Sequence, residues 1–218
     1  PLIILATIFL FYPSLSYYFF QDDWFVTNWV QSSDFLSLFK FRTDIIYWRP
    51  VSMPIFFKTG QLLFGYNPFG FHLILLAVHL INSFLVFYLF RTLKFTMPTA
   101  LVISLLYSTA SFHFVPLSWL STASYVIGPL FILTSSIFYL KNKFFLSFIV
   151  FLLALASSEF AIVFIPIAAI LKQQRLVIKP HVPFIAVTLV YLVLRFFVFP
   201  IPSEGSYEIS FGPRVLTN

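Results

Sequence analysis

Seven apolar runs, several of them closed by lysine or arginine, leave this chain few ways to fold. They cover roughly 1–19, 69–90, 97–112, 120–140, 144–157, 160–171 and 183–199. About 20 apolar residues suffice to carry a helix across a bilayer. Only 9% of the 218 residues are charged and 60% are hydrophobic, with 32 Phe, whereas a soluble domain carries about 25% charged residues. So little polar surface cannot cover a water-facing globule, and lipid is the expected solvent for most of the chain. The expectation is an all-α, polytopic membrane helix bundle of about seven spans.

Charge gives that bundle a direction. The short loops after the second, fourth and sixth runs hold Arg91, Lys94, Lys141, Lys143, Lys172, Arg175 and Lys179 and no acid. Every acid, namely Asp22, Asp23, Asp34, Asp44, Glu159, Glu204 and Glu208, falls on the other side. Positively charged loops stay in the cytoplasm. The long polar and aromatic loop 20–68, Glu159 and the tail 200–218 are therefore expected to face outward, with the N-terminus inside. The net charge of +6 is accounted for by these loops and does not call for a nucleic-acid partner. Pro1 and the polar end at Asn218 suggest a piece of a longer protein, and no cleavable signal peptide is evident.

The runs 144–157 and 160–171 form a hairpin around Ser158-Glu159. Helices of that length reach about 21 and 18 Å, against a hydrocarbon core of about 30 Å. Either flanking residues extend them, or the hairpin stops short and holds Glu159 near the outer boundary, where an ionisable group is a functional candidate. The other reading is a hydrated turn with an ordinary carboxylate. Cysteine is absent, which removes disulfides, thiolate metal sites and a cysteine nucleophile. Neither a dinucleotide fingerprint nor a phosphate-binding loop occurs. The residues imply no cofactor and neither require nor forbid a divalent metal.

Candidate chemistry concentrates in the first outer loop. Asp22 and Asp23 follow the first run directly; adjacent carboxylates beside low dielectric should raise one pKa, which suits a general base. Either could instead cap a short loop helix. In Tyr47-Trp48-Arg49-Pro50, the Arg49 guanidinium offers a planar fork for a phosphate, or it snorkels to lipid headgroups. Trp24, Trp29 and Trp48 read equally as an aromatic belt. His72 and His79 lie seven residues apart, about 10 Å along a helix, so they do not share one metal ion, and interhelical hydrogen bonds are the expected role. Arg195, near the outer end of the last run, either clamps a phosphate or snorkels.

The order of these motifs resembles the GT-C class of membrane glycosyltransferases. The likeness is to relatives of the protein O-mannosyltransferases, including those with tetratricopeptide repeats. It rests on the acidic pair, on Tyr47-x-Arg49-Pro50, and on Phe64-Gly65-Tyr66-Asn67-Pro68-Phe69-Gly70-Phe71-His72-Leu73 leading to His79 and Asn82-Ser83. The family's His-Pro-x-His-x-Glu-Pro-x-x-Trp-x-Ser aligns with Ala110–Ser121. His113, Pro116, Trp119 and Ser121 match, whereas the first His, the first Pro and the Glu do not. Its Leu-x-Ser-Lys-Glu appears as Leu155-Ala156-Ser157-Ser158-Glu159, with Ser in place of Lys.

The resemblance implies a transmembrane glycosyltransferase domain over 1–218 and a polyprenyl-phosphate-linked sugar as donor. Transfer would be to a protein, lipid or glycan hydroxyl on the outer face, with inversion. It gives the base role to Asp22 or Asp23; Arg49, with Arg195 as second choice, is the candidate to stabilise the leaving phosphate, and Glu159, His72, His79, His113 and Asn67 are supporting candidates. The implied location is the plasma membrane, or the endoplasmic reticulum membrane in a eukaryote. The rival readings are a non-catalytic lipid-binding relative and a transporter or flippase.

Overall fold

A computed structural model describes residues 1–42, 45, 47–172 and 179–198. Asp44, Arg175 and the tail 200–218, with Glu204 and Glu208, lie outside the described residues. All regular structure among the described residues is helical. The α-helices are α1 (Leu2–Phe11), α2 (Asp22–Ser32), α3 (Phe56–Phe64), α4 (Pro68–Thr92), α5 (Met97–Thr109), α6 (Phe114–Ser118), α7 (Ser124–Leu140), α8 (Phe144–Leu155), α9 (Phe164–Lys172) and α10 (Val182–Phe197). Every apolar run of the sequence becomes helix. The loop 20–68 is also largely helical, through α2, α3 and a π-helical turn at Val51–Ile55.

Among the described residues, Pro68–Thr92 and Leu120–Leu140 are long and apolar enough to cross a membrane. The pair Met97–Thr109 and Ser111–Ser118 would make a third such segment, bent by 43°. The other apolar helices run 10–17 residues, so about seven full-length spans do not follow from length alone. Large apolar side chains cover the outside, with Phe9 and Phe197 both 83% exposed. An apolar exterior of that extent marks a surface meant for lipid or protein rather than water.

Local sequence explains where the long helices start and stop. Asn67 caps α4 by accepting from the Phe69 amide at 3.1 Å, and Pro68 takes the first helical position, where its missing N–H costs nothing. Thr96 and Pro98 open α5 in the same manner. Both α4 and α7 end in a left-handed residue, Lys94 (φ 66°) and Asn142 (φ 60°). At each end the following amide reaches back five residues, Phe95 to Phe90 and Lys143 to Phe138, which satisfies carbonyls the helix would otherwise orphan. The basic loops begin at these two tight stops.

α4 is central, packing on α5 on one side and α7 on the other, while α7 packs on α8 and α9. Small polar residues hold these seams. Ser135 and Ser147 donate to each other's carbonyls at 2.8 and 2.9 Å, Asn82 donates to Val126 O at 2.8 Å, and Ser104 donates to Ser83 O. Lipid supplies no hydrophobic force between helices, so small residues and interhelical hydrogen bonds must do this. One apolar cluster, with Val30, Phe57, Phe71 and Leu75, seats α2 and α3 against α4. A second, with Tyr139, Phe151, Phe164 and Phe184, joins α7, α8, α9 and α10.

Among the described residues, the basic stops after α4 and α7 and the start of α10 lie at one end of the bundle. Lys141 Nζ meets the Tyr88 hydroxyl, joining the ends of α4 and α7, and Tyr139 pairs with His181 at 2.7 Å beside the start of α10. The first residue of α7, Ser124, is at the opposite end, about 25 Å away for a 17-residue helix. The candidate site lies there.

Candidate functional site

Backbone pairing brings Arg49 to Glu159. The chain after Pro50 enters its π-helical turn beside the hairpin, where Val51 N donates to Ala156 O at 3.0 Å and Ser52 Oγ to Ser157 O. Gly128 lets the hairpin approach α7: a Cβ there would lie 2.9 Å from Ser158 Cβ. Ser158 then caps the turn Glu159–Val163. Arg49 Nε donates to Glu159 Oε2 at 2.7 Å, Nη2 donates to Oε1, and Nη1 donates to Ser124 Oγ at 3.1 Å. The guanidinium also stacks 4.0 Å from the Tyr47 ring centre. Such a two-pronged pairing is the strongest arrangement open to arginine.

Burial alone would raise the Glu159 pKa. The hydrogen bonds and charge of Arg49, with a further contribution from Arg195, more than offset this and hold the carboxyl below its ordinary range. Arg195 acts on both Glu159 and Tyr191, and its Nη1 is buried with no hydrogen-bond partner among the described residues. Two guanidiniums about one carboxylate leave a net charge of +1.

The acidic pair divides. Asp22 is exposed and Asp23 fully buried. Asp23 Oδ1 accepts from the Ser121 amide at 2.7 Å and the Ser121 hydroxyl at 2.6 Å, while Oδ2 accepts from the Phe20 amide at 2.9 Å. Its pKa is raised, by burial first, against those hydrogen bonds and the charge of His72, which lower it. Burial, rather than repulsion by Asp22, therefore drives the shift. Neither acid is the cap residue: Gln21 holds that position at φ 43°, and both acids occupy the first turn of α2, where the helix dipole favours negative charge. Asp23 fastens to Ser121 and Arg49 to Ser124, three residues on, so the acid and the cation grip one turn between α6 and α7.

The remaining candidates serve backbone. Asn67 is the exposed cap of α4. His72 Nδ1 lies 2.8 Å from Leu117 O and His79 Nε2 lies 3.0 Å from Ser108 O. His113 is buried with its ring 4.2 Å from that of His79. Ser108 and Leu117 belong to the bent segment, whose interrupted helix releases carbonyls that need donors inside an apolar slab. Sequence reasoning did not single out Ser124 or Tyr191, since a serine at a span end and a tyrosine within a span are both commonplace there.

A groove of about 680 Å³ opens beside the paired charges. Its walls include Val115, Pro116, Tyr125, Ile132 and Phe160, with Ser124 and Ser158 at the charged side. Its lining is almost wholly apolar, so it suits a hydrocarbon chain whose polar end reaches Ser124. Among the described residues no group of three or more His, Cys, Asp or Glu is placed to hold a metal ion. No protein-family model, curated protein or solved structure matches this chain.

Proposed function

We propose that this chain is part of a seven-span membrane glycosyltransferase, with the basic loops in the cytoplasm and the Arg49–Glu159 end outside. It moves a sugar from a polyprenyl phosphate to a hydroxyl acceptor of a protein, lipid or glycan. The observation that carries the reading is the net-positive Arg49–Glu159–Arg195 cluster set against an apolar groove, at the end of the bundle that bears the acidic pair. A lipid phosphate has one region of each character, and the two occur here side by side.

In this reading the division of the acidic pair assigns the roles. Asp22, open to solvent, takes the proton from the acceptor hydroxyl as its oxygen attacks the anomeric carbon from the face opposite the phosphate. The bond from that carbon to the phosphate oxygen breaks, and the configuration inverts. Charge then grows on the leaving phosphate, where Arg195 and the net positive field of the cluster stabilise it. Asp23 holds the Ser121 turn in place, and Glu159 fixes the orientation of Arg49.

One observation favours a second reading, a lipid-phosphate-binding relative without catalysis: Glu159 and Ser124 already occupy the fork of Arg49. The two readings separate in membranes holding the full-length protein and radiolabelled polyprenyl-phosphate sugars. Transfer of label that Asp22→Asn abolishes at normal expression supports the enzyme. Retention of the lipid without transfer supports the binding relative. Transfer that survives Asp22→Asn removes that residue from the base role.

A further inference from the structure

Behind the bend of the third apolar segment lies a cluster that the transfer reaction does not use. His79 Nε2 faces the Ser108 carbonyl at 3.0 Å. A carbonyl oxygen only accepts, so Nε2 carries the proton and Nδ1 presents a bare lone pair. Asn82 spends its amide on Val126 O at 2.8 Å, leaving Oδ1 as an acceptor. The His113 ring interacts with the Tyr107 backbone, and its Nε2 points into the same cluster without a partner among the described residues. His79 Nδ1, Asn82 Oδ1, His113 Nε2 and the Tyr107 hydroxyl are all buried with no hydrogen-bond partner among the described residues.

These four groups adjoin one another. Ring centres lie 4.2 Å apart for His79 and His113, 4.7 Å for Tyr107 and His113, and 5.8 Å for His79 and Tyr107. The Tyr107 hydroxyl is near enough to the Asn82 side chain to interact with it, yet the two make no direct hydrogen bond. Phe11 closes one side, with its ring edge-on to both imidazoles at 5.4 and 6.5 Å.

His79 Nδ1 and Asn82 Oδ1 can only accept, His113 Nε2 takes either role with its tautomer, and the Tyr107 hydroxyl reaches none of them directly. A buried acceptor left unpaired loses its hydration with nothing in return, so such a cluster calls for a partner. We propose that one water molecule is held between α4 and the bend by His79, Asn82, Tyr107 and His113. Its two O–H groups meet His79 Nδ1 and Asn82 Oδ1, its oxygen accepts from the Tyr107 hydroxyl, and a bridging water of this kind bonds nearly as well as a direct partner. A divalent cation would match the same lone pairs. It would sit among four uncharged ligands with no carboxylate in the cluster, and buried charge without a counter-ion is far costlier than a buried neutral molecule. The water makes the 43° bend a hydrated joint rather than a dry break.

A high-resolution density map of the full-length protein in lipid nanodiscs tests this. The expected result is one peak about 2.7–3.2 Å from at least three of the four named atoms. A peak about 2.0–2.1 Å from the imidazole nitrogens is a metal ion and overturns the proposal, as does stoichiometric transition metal in elemental analysis of protein purified without chelator. Direct contact among the four groups, with no peak between them, overturns it too. In Tyr107→Phe the peak should persist with one contact fewer, because His79, Asn82 and His113 remain to hold it. Its disappearance from a folded Tyr107→Phe protein would count against the assignment.

Discussion

Replacing Glu159 by Gln removes the negative charge that Arg49 faces while keeping the size of the side chain. Arg49 is 8% exposed and Glu159 29%, so the pair lies between the surface and the interior. Exposed pairs contribute about 0.2–1 kcal/mol, whereas breaking a buried pair costs about 3–5 kcal/mol because an unpaired charge remains. The glutamine can still accept one hydrogen bond from Arg49, so a loss of about 2 kcal/mol is expected. For a chain of this size that lowers the apparent melting temperature by about 4–8 °C. The assay is thermal unfolding of the detergent-solubilised protein at one scan rate. Glu159→Gln is compared with Arg49→Met and with the double variant, in which Glu159→Gln should add little further loss. The pH dependence has a definite sign. Because the folded pKa of Glu159 lies below the ordinary 4.5, its contribution is present above that value and fades as pH falls through the folded pKa. The gap between wild type and Glu159→Gln should close in the same direction. A Glu159→Gln melting point within about 1 °C of wild type, or losses that simply add in the double variant, would refute the claim that the ion pair secures the loop to the hairpin.

Asp23 should behave with the opposite sign. Its folded pKa lies above 3.8, so the stability it contributes is full at low pH and declines as pH rises through the folded value; the difference between wild type and Asp23→Asn in pH-dependent unfolding should show this. Asp22→Asn should leave the melting temperature within about 1 °C of wild type, since the residue is exposed, yet abolish transfer of labelled sugar. Gly60→Ala would place a Cβ 2.3 Å from the Phe71 ring, and overpacking of that severity costs about 1–3 kcal/mol, read as an earlier thermal midpoint. Lys58 Nζ donates to the carbonyls of Val30, Gln31 and Ser33 at 2.7, 3.4 and 3.3 Å. Lys58→Met should therefore fray the end of α2, seen as faster amide hydrogen exchange over residues 28–33.

The apolar helices and their order were legible because continuous apolar runs and basic stops at Arg91 and Lys141 are properties of the chain itself, whereas α2 and α3 lie in the loop 20–68, which has no such run. The way the acidic pair divides was not. Asp22 and Asp23 are neighbours in sequence, and only the start of α2 after Gln21 turns one to solvent and the other toward Ser121, 98 residues away. Nor could sequence show that Arg49 is paired, since the partner lies 110 residues on, beyond the reach of any local pattern. The histidines were legible in part. Interhelical hydrogen bonding is the expected role of His72 and His79, and each places a ring nitrogen on a carbonyl of the bent segment, a partner that the sequence could not name. A helix that breaks inside an apolar slab must find donors for the carbonyls it releases, and imidazole supplies one at little cost in charge. Where the break falls depends on how Ala110 through Trp119 pack against α4, so the need for those donors exists only once the chain has folded.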